Sequence, residues 1–388
     1  MNRNSHPSVL FVDQTGELGG AELSLFDIVR LRTAPSSVVL LADGPLRTKL
    51  ANASIPTSVV PIKAAGQVTR DSSLSAALLA GPGLARATLS IAIKARNADL
   101  IYANTQKAFI VSAAASIIAR KPLIWHLRDI LTNDHFSRSL LKAVIILSNH
   151  CNARIIANSQ ATADAYKMSG GTADITIIHN GIDATPFDAV DTGEARALLR
   201  AELNLNDQPL VGVFSRLAEW KGQHVLVDAL RHLPGIHAVF VGGALFEENA
   251  YEKRLKEQVD AFGLKDRCHF LGFRSDVPKL MKAVDLIAHT SIAPEPFGRV
   301  IVEGMLAGRP VIGTRAGGVT EIITDGVTGY LVAPGNTDEL VDAIRRLTTS
   351  YDHARLVANA SQHAARRNFS LAGSLSKIDE FIYQSYGH

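Results

Sequence analysis

Thr290-Ser-Ile-Ala-Pro-Glu-Pro-Phe-Gly-Arg-Val-Ile-Val-Glu-Gly-Met-Leu-Ala-Gly-Arg-Pro-Val-Ile-Gly-Thr314 follows a short apolar run, Leu286 to Ala288. Pro296 steers Glu295 away from the αR region, which puts Glu295 on a loop. A helical pattern starts near Gly298, Gly308 ends it, and Pro310-Val-Ile-Gly313 returns as a buried strand. Phe297, Gly298 and Arg299 then offer first-turn N–H groups that lack intrahelical acceptors, and the helix dipole adds positive potential there. Glu295 stands beside this anion cradle, and Glu303 follows eight residues later, inside the helix. A phosphate ester carrying hydroxyl groups suits such a place.

The same alternation extends through the chain. Apolar runs at Val9–Val12, Val38–Ala42, Asp99–Ala103, Pro122–His126, Arg154–Ala157 and Ile175–Ile178 alternate with helical patterns. A connector at 184–191, with Pro186 and Gly193 close by, precedes a second series: Leu210–Phe214, Ala238–Val241, Cys268–Leu271, Leu286–Ala288, Val311–Ile312 and Tyr330–Val332. Continuously apolar strands separated by helices predict parallel sheets covered on both faces. The expected fold is α/β, with two doubly wound lobes and a ligand cleft between them, beyond the carboxyl ends of the strands. Residues 63–73 give no clear pattern, and 74–95 read as one or two helices broken near Gly81-Pro-Gly83. Helices are expected at 337–348, 353–366 and 371–386.

A chain of 388 residues, 47% hydrophobic and 20% charged, has material for two or three domains at ~150 residues each. A net charge of +3 is too weak to argue for nucleic acid. The charge is uneven, however: residues 1–185 carry six more basic than acidic side chains, and the remainder carries three fewer. The excess lies between Lys63 and Lys142, around apolar runs at 74–93 and 139–147. It reads either as a solvated face over buried helices or as a surface for anionic lipid or an acidic acceptor. Cys151 and Cys268 stand alone, which argues against a disulfide framework or a zinc site and fits a reducing compartment. Neither a signal-peptide h-region nor a window of ~20 apolar residues occurs, so the expectation is a cytoplasmic protein, at most peripheral at the inner face of a membrane.

Other constellations sit at predicted strand ends. Gly16-Glu-Leu-Gly-Gly-Ala-Glu22 opens the first helix, where Gly19 and Gly20 permit close approach to a phosphate or sugar, or simply make a tight turn. The G-x-G-x-x-G dinucleotide fingerprint is missing. Arg216 and Lys221 lie on a short loop that ends at Gly222, two cations suited to a diphosphate leaving group. Gly242-Gly243 and Gly272-Phe273-Arg274 mark two more strand ends, each equally readable as a plain turn. His126 could bond a sugar hydroxyl or an acceptor, or be structural. Asn104-Thr105 and Asn158-Ser159 could line the same cleft, although Ser159 also reads as a helix cap. With no D-x-D spacing and no cluster of metal-ligand type, no metal is called for.

Taken together, Glu17-Leu-Gly-Gly-Ala-Glu22, Ile178-His-Asn-Gly-Ile-Asp183, Ser215-Arg-Leu-Ala-Glu-Trp-Lys-Gly222, Phe270-Leu-Gly-Phe273, Glu295-Pro-Phe-Gly-Arg-Val-Ile-Val-Glu303 and Gly317-Gly-Val-Thr-Glu321 resemble the family 4 glycosyltransferases. The resemblance spans almost the whole chain. It implies a GT-B architecture: a Rossmann-like acceptor-side domain over 1–185, a donor-binding domain over 186–370, and a last helix, 371–388, packing back on the first. It also implies sugar transfer from a nucleotide-diphosphate donor (a UDP-, GDP- or ADP-sugar) to a glycan or lipid-linked acceptor, in bacterial polysaccharide or glycolipid assembly. Anomeric configuration would be retained, with no metal and no further cofactor. By the same resemblance, Arg216 and Lys221 hold the diphosphate, Glu303 the ribose, and Glu295 faces the donor sugar. Gly298, Arg299 and Val300 offer backbone amides, Gly20 approaches from the first lobe, and His126 lies near the reacting sugar. Gly19, Gly242, Gly272, Phe273 and Phe297 complete the expected substrate-binding set. His126 is followed by Leu-Arg-Asp, where many members carry an acidic residue. A nucleotide-sugar 2-epimerase and a non-catalytic sugar-nucleotide binder are the alternatives; neither explains the two carboxylates and two cations together.

Overall fold

The computed structural model describes residues 6–62, 81–132, 136–244 and 248–387. The ambiguous stretch 63–73 and the start of the helical region expected from Leu74 lie outside these residues. The rest of that region is one helix, Gly81–Ala95.

The chain divides into two compact units, Met1–Gly181 with Leu371–His388, and Ile182–Ser370. The first unit holds β1 (Val9–Asp13), β2 (Ser36–Leu40), β3 (Thr57–Val59), β4 (Leu100–Ala103), β5 (Leu123–Leu127), β6 (Arg154–Ala157) and β7 (Ile175–Ile177) in one parallel sheet of order β3-β2-β1-β4-β5-β6-β7. The second holds β8 (Leu210–Phe214), β9 (His237–Val241), β10 (Cys268–Gly272), β11 (Leu286–Ala288), β12 (Val311–Thr314) and β13 (Tyr330–Val332), also parallel, in the order β10-β9-β8-β11-β12-β13. Each order reverses once, between β1 and β4 and between β8 and β11. Loops leaving neighbouring strands in opposite directions open a crevice at such a point.

Strand residues are buried on both sides because helices cover both faces. In the first unit, Leu10, Val12, Ile101 and Trp125 pack under helices Gly81–Ala95, Gln106–Ala119 and Arg138–His150. Trp125 stacks on Phe109 at 4.1 Å between centroids, a pairing worth about 0.5–1.5 kcal/mol beyond its buried area. Val9, Phe11, Tyr102 and Ile124 face helices Gly20–Leu31, Pro45–Asn52 and Leu371–Tyr386. That last helix is fastened by more than apolar packing. Asp379 accepts from Arg32 at 2.6 Å, Ser374 donates to the His179 carbonyl at 2.8 Å, and the Arg154 guanidinium lies 4.4 Å from the Phe381 ring centroid.

Most predicted elements appear within a residue or two. The connector contains a one-turn helix, Thr185–Asp188, and the Arg216–Gly222 loop contains a 3₁₀ turn, Glu219–Lys221. Hydrophobic periodicity registers neither, because three or four residues are too few to show a period.

Candidate functional site

In the second unit, the loops after β8 and β11 flank the point where strand order reverses. Gly222 ends the first loop with φ +66°, and a Cβ there would stand 2.1 Å from the Thr290 carbonyl oxygen of the second. The loops are tied together at that contact: Thr290 Oγ1 donates to the Lys221 carbonyl at 3.1 Å, and the Ile292 amide donates to that of Trp220 at 2.8 Å. The buried Gln223 side chain donates to Ser215 Oγ and to the Arg216 carbonyl, fixing the path of the cationic loop. Gly242 is needed for a similar reason, since a Cβ would stand 2.1 Å from the Ser215 carbonyl oxygen.

Glu295 is buried where these loops meet. Lys221 Nζ, His289 Nε2 (2.9 Å) and Ser291 Oγ (2.8 Å) all bond its Oε1. Burial alone would raise the pKa of this carboxyl. The Lys221 charge and the His289 hydrogen bond outweigh burial and hold it well below the usual carboxylate range. Glu295 is therefore a permanent anion at neutral pH. Its backbone is also gripped: the Gly318 amide donates to its carbonyl at 2.8 Å, and a Cβ on Gly317 would come within 2.2 Å of that oxygen. The Gly317-Gly318 pair thus lets one turn lie flat on the Glu295-Pro296 backbone.

Helix Arg299–Leu306 begins beside it. Gly298 caps it at φ +108°, and the amides of Gly298, Arg299 and Val300 precede the first intrahelical bond, from the Ile301 amide to the Gly298 carbonyl. Glu303 lies one turn in and pairs with Arg299 at 3.4 Å. Arg216 sits 3.6 Å from Glu248, its guanidinium 5.7 Å from the Trp220 centroid, and Lys221 Nζ is 4.0 Å from that same ring.

Two expectations need correction. The Phe297 side chain is in the core, edge-on to Phe369 at 5.7 Å, so only its backbone is available to a ligand. Lys221 is bonded to Glu295, so the cation and the carboxylate assigned to different parts of a substrate form one buried pair. Gly272 (φ +62°) ends β10, and Phe273 after it is 77% exposed.

In the first unit, a polar network fills the corresponding point between β1 and β4. Asn104 Nδ2 donates to Asp13 at 2.6 Å and to the Ala21 carbonyl at 3.1 Å. Arg128 donates to Asn104 Oδ1 (2.8 Å), Asn180 Oδ1 (2.7 Å) and His126 Nδ1 (3.1 Å). Glu22, just inside helix Gly20–Leu31, folds its carboxyl over Gly19, where a Cβ would stand 2.5 Å from Oε2. Burial pushes Asp13 up to about 6 and, with the Asp13 charge next to it, Glu22 up to about 8.

His126 lies within β5, 1% exposed, not on a loop beyond the strand. Its Nδ1 faces both Arg128 and the Tyr102 hydroxyl. A guanidinium can only donate, so Nδ1 accepts and the ring proton belongs on Nε2. Burial, then the Arg128 charge, holds His126 neutral, with its pKa well below the ordinary value. Nε2 itself is buried and meets no protein partner.

Sequence reasoning named Glu295 and Lys221 but missed His289 and Ser291, which complete the carboxylate's shell. Their signal was a polar triplet, His289-Thr290-Ser291, directly after an apolar strand. Asn158 and Ser159 cap helix Gln160–Met168: Ser159 accepts from the Thr162 amide, and Asn158 from the Thr162 hydroxyl. Among the described residues, no group of three or more His, Cys, Asp or Glu could hold a metal ion.

Residues 18–185 match the family model described as Glycosyltransferase Family 4, and residues 195–364 the model described as Glycosyl transferases group 1. The crystal structure of HepE from Anabaena in complex with UDP and glucose is 42% identical, with a TM-score of 0.88 over 97% of this chain and 99% of that one. The same protein in complex with UDP-glucose gives 41% identity and a TM-score of 0.88, covering 98% and 100%. The lipopolysaccharide core biosynthesis mannosyltransferase LpsB of Rhizobium meliloti is 33% identical over 225 residues, 54% of this chain and 60% of that protein. A D-inositol 3-phosphate glycosyltransferase of Mycobacterium marinum is 30% identical over 198 residues, 50% and 42% of the two. The chain spans about half the length of the curated relatives it matches.

Proposed function

The chain belongs to the family 4 glycosyltransferases, and from that premise we propose that it moves a sugar from a UDP-sugar to a glycan or lipid-linked acceptor. The observation that carries the reading is the buried anion Glu295, fixed by Lys221, His289 and Ser291 beside a helix start with open amides. The complexes of HepE with UDP and UDP-glucose favour uridine as the base and glucose as the first sugar to test. We place the reaction in bacterial polysaccharide or glycolipid assembly, on the cytoplasmic side of a membrane that presents the acceptor.

In this reading the amides of Gly298, Arg299 and Val300, with Arg216 and Lys221, receive the diphosphate, and Glu303 binds ribose hydroxyls. Glu295 cannot face the diphosphate, because two anions would repel. It faces sugar hydroxyls and the positive charge that grows on the ring as the bond from C1 to the phosphate oxygen breaks. His126, neutral with its proton on Nε2, donates to a sugar oxygen and does not act as a base. The acceptor hydroxyl attacks C1 from the side the phosphate leaves, and its proton passes to a leaving phosphate oxygen, so configuration is retained. A side-chain glycosyl adduct trapped and seen by mass spectrometry would replace this with a two-step displacement.

The test is thermal denaturation with UDP, GDP and ADP, followed by UDP release from UDP-glucose. At a hundredfold excess over Kd, the matching nucleotide stabilises by about 2.7 kcal/mol. A shift with GDP alone overturns the choice of base, and no shift with any nucleotide overturns the reading.

A further inference from the structure

We infer that helices Gly81–Ala95, Gln106–Ala119 and Arg138–His150 together form a docking face for an anionic lipid bilayer. They cover the same side of the first sheet and share one core. Their inward positions follow helical spacing, yet their outward positions are not the charged, mixed surface of an ordinary soluble helix. Leu89, Ile93, Ile117, Ile118 and Ile146 point outward, each 50–66% exposed. Five large aliphatic side chains on three adjacent helices make an apolar patch of the kind that marks an interaction surface.

The charge on this face has one sign. None of the three helices contains Asp or Glu, while Arg86, Arg96, Arg120 and Lys142 are exposed on them or at their ends. The opposite side of the same sheet differs: helix Gly20–Leu31 carries Asp27 with Arg30, and helix Leu371–Tyr386 carries Asp379, Glu380 and Lys377. Aliphatic residues rimmed by cations, on helices lying in a plane, fit the boundary between headgroups and acyl chains. Among the described residues no helix is long and apolar enough to cross a membrane, so the contact lies on the bilayer. A second copy of the chain is a poorer occupant, because a two-fold interface would set cations against cations with no carboxylate from these helices between them.

The inference gives the proposed lipid-linked acceptor a place to meet the protein, and it rests on the transferase reading only in that respect. The experiment is sedimentation of the full chain with vesicles of phosphatidylcholine alone and with 30 mol% phosphatidylglycerol (about a third anionic lipid). Binding is expected only to the anionic vesicles, weakening as salt rises. Two variants separate the components: Ile93→Gln/Ile117→Gln removes apolar contact, and Arg96→Gln/Arg120→Gln/Lys142→Gln removes charge. Each should lower partitioning by about tenfold or more, while Lys377→Gln on the opposite side leaves it unchanged. UDP-induced thermal shifts, measured on every variant, report whether the fold and the donor site survive. Equal binding by wild type and face variants overturns the inference, as do equal binding to neutral vesicles and no binding at all. So does a dimer that the same substitutions disperse. Loss of the UDP shift in the wild type would instead overturn the transferase reading.

Discussion

The two sheets reverse strand order at equivalent places, and at each the loops bury carboxyl groups, yet the electrostatic outcomes are opposite. In the second unit a lysine, a histidine and a hydroxyl converge on one oxygen of Glu295 and keep it charged. In the first, Asp13 and Glu22 are buried near each other, and the one neighbouring cation, Arg128, gives its hydrogen bonds to Asn104, Asn180 and His126. Desolvation wins there, and both carboxyls hold their protons more tightly than in water. The same topological position thus yields a fixed anion in one unit and a protonated acid in the other. Burial does not decide the charge of a carboxyl; the number of donors aimed at it does.

The largest test breaks the fixed anion. Lys221→Ala leaves Glu295 buried without its cation, at a cost of about 3–5 kcal/mol in stability. Loss of the positive charge should also lower kcat for transfer about 10²–10³-fold. Adding Glu295→Gln should restore much of the melting temperature and none of the rate, which a double-mutant cycle by calorimetry and initial rates would read. Next, Gly222→Ala forces a Cβ against the Thr290 carbonyl in a left-handed conformation, and should cost about 2–3 kcal/mol in urea denaturation. A milder effect would mean that the two loops move apart at little cost.

The first unit gives a smaller, pH-dependent effect. Glu22 binds its proton more tightly folded than unfolded, so its contribution is fully present below about 4.5 and is lost as pH rises through about 8. Glu22→Gln mimics the protonated carboxyl. It should raise the melting temperature by about 2–4 °C at pH 9, equivalent to ~1 kcal/mol, and do little at pH 5. An equal shift at both pH values would point to packing instead of ionisation. The smallest signal is spectroscopic: His126 should keep an unprotonated Nδ1 and a protonated Nε2 in ¹⁵N-resolved spectra down to pH 5, and Arg128→Met should release that tautomer preference.

The fold was legible where the sequence repeats a period. Strands such as Val9–Val12 and Leu210–Phe214 are apolar throughout because both of their faces are covered, and the helices between them alternate faces. Strand order was not legible, since periodicity shows that a segment is a strand without naming its neighbours. At the site, glycines and carboxylates at strand ends were readable because tight turns and anion cradles restrict residue type. The Glu295 shell was only half readable. His289 and Ser291 are ordinary residues until folding points them at one oxygen, and Lys221 reads as a phosphate ligand until Glu295 takes it. His126 was recognisable as a site residue, but its confinement within β5 depends on Tyr102 and Arg128, contacts that no spacing rule encodes.

The helix Leu371–Tyr386 gives the chain a built-in order of completion. The second unit is one continuous segment, whereas the first is missing a face of its core until the last residues are present. During synthesis from the N-terminus, the later-made unit can therefore close before the earlier one. Phe11, Tyr102 and the rest of that face wait for Ile378, Phe381 and Ile382, so a ribosome that stops some twenty residues short releases a second unit that is whole and a first that is open.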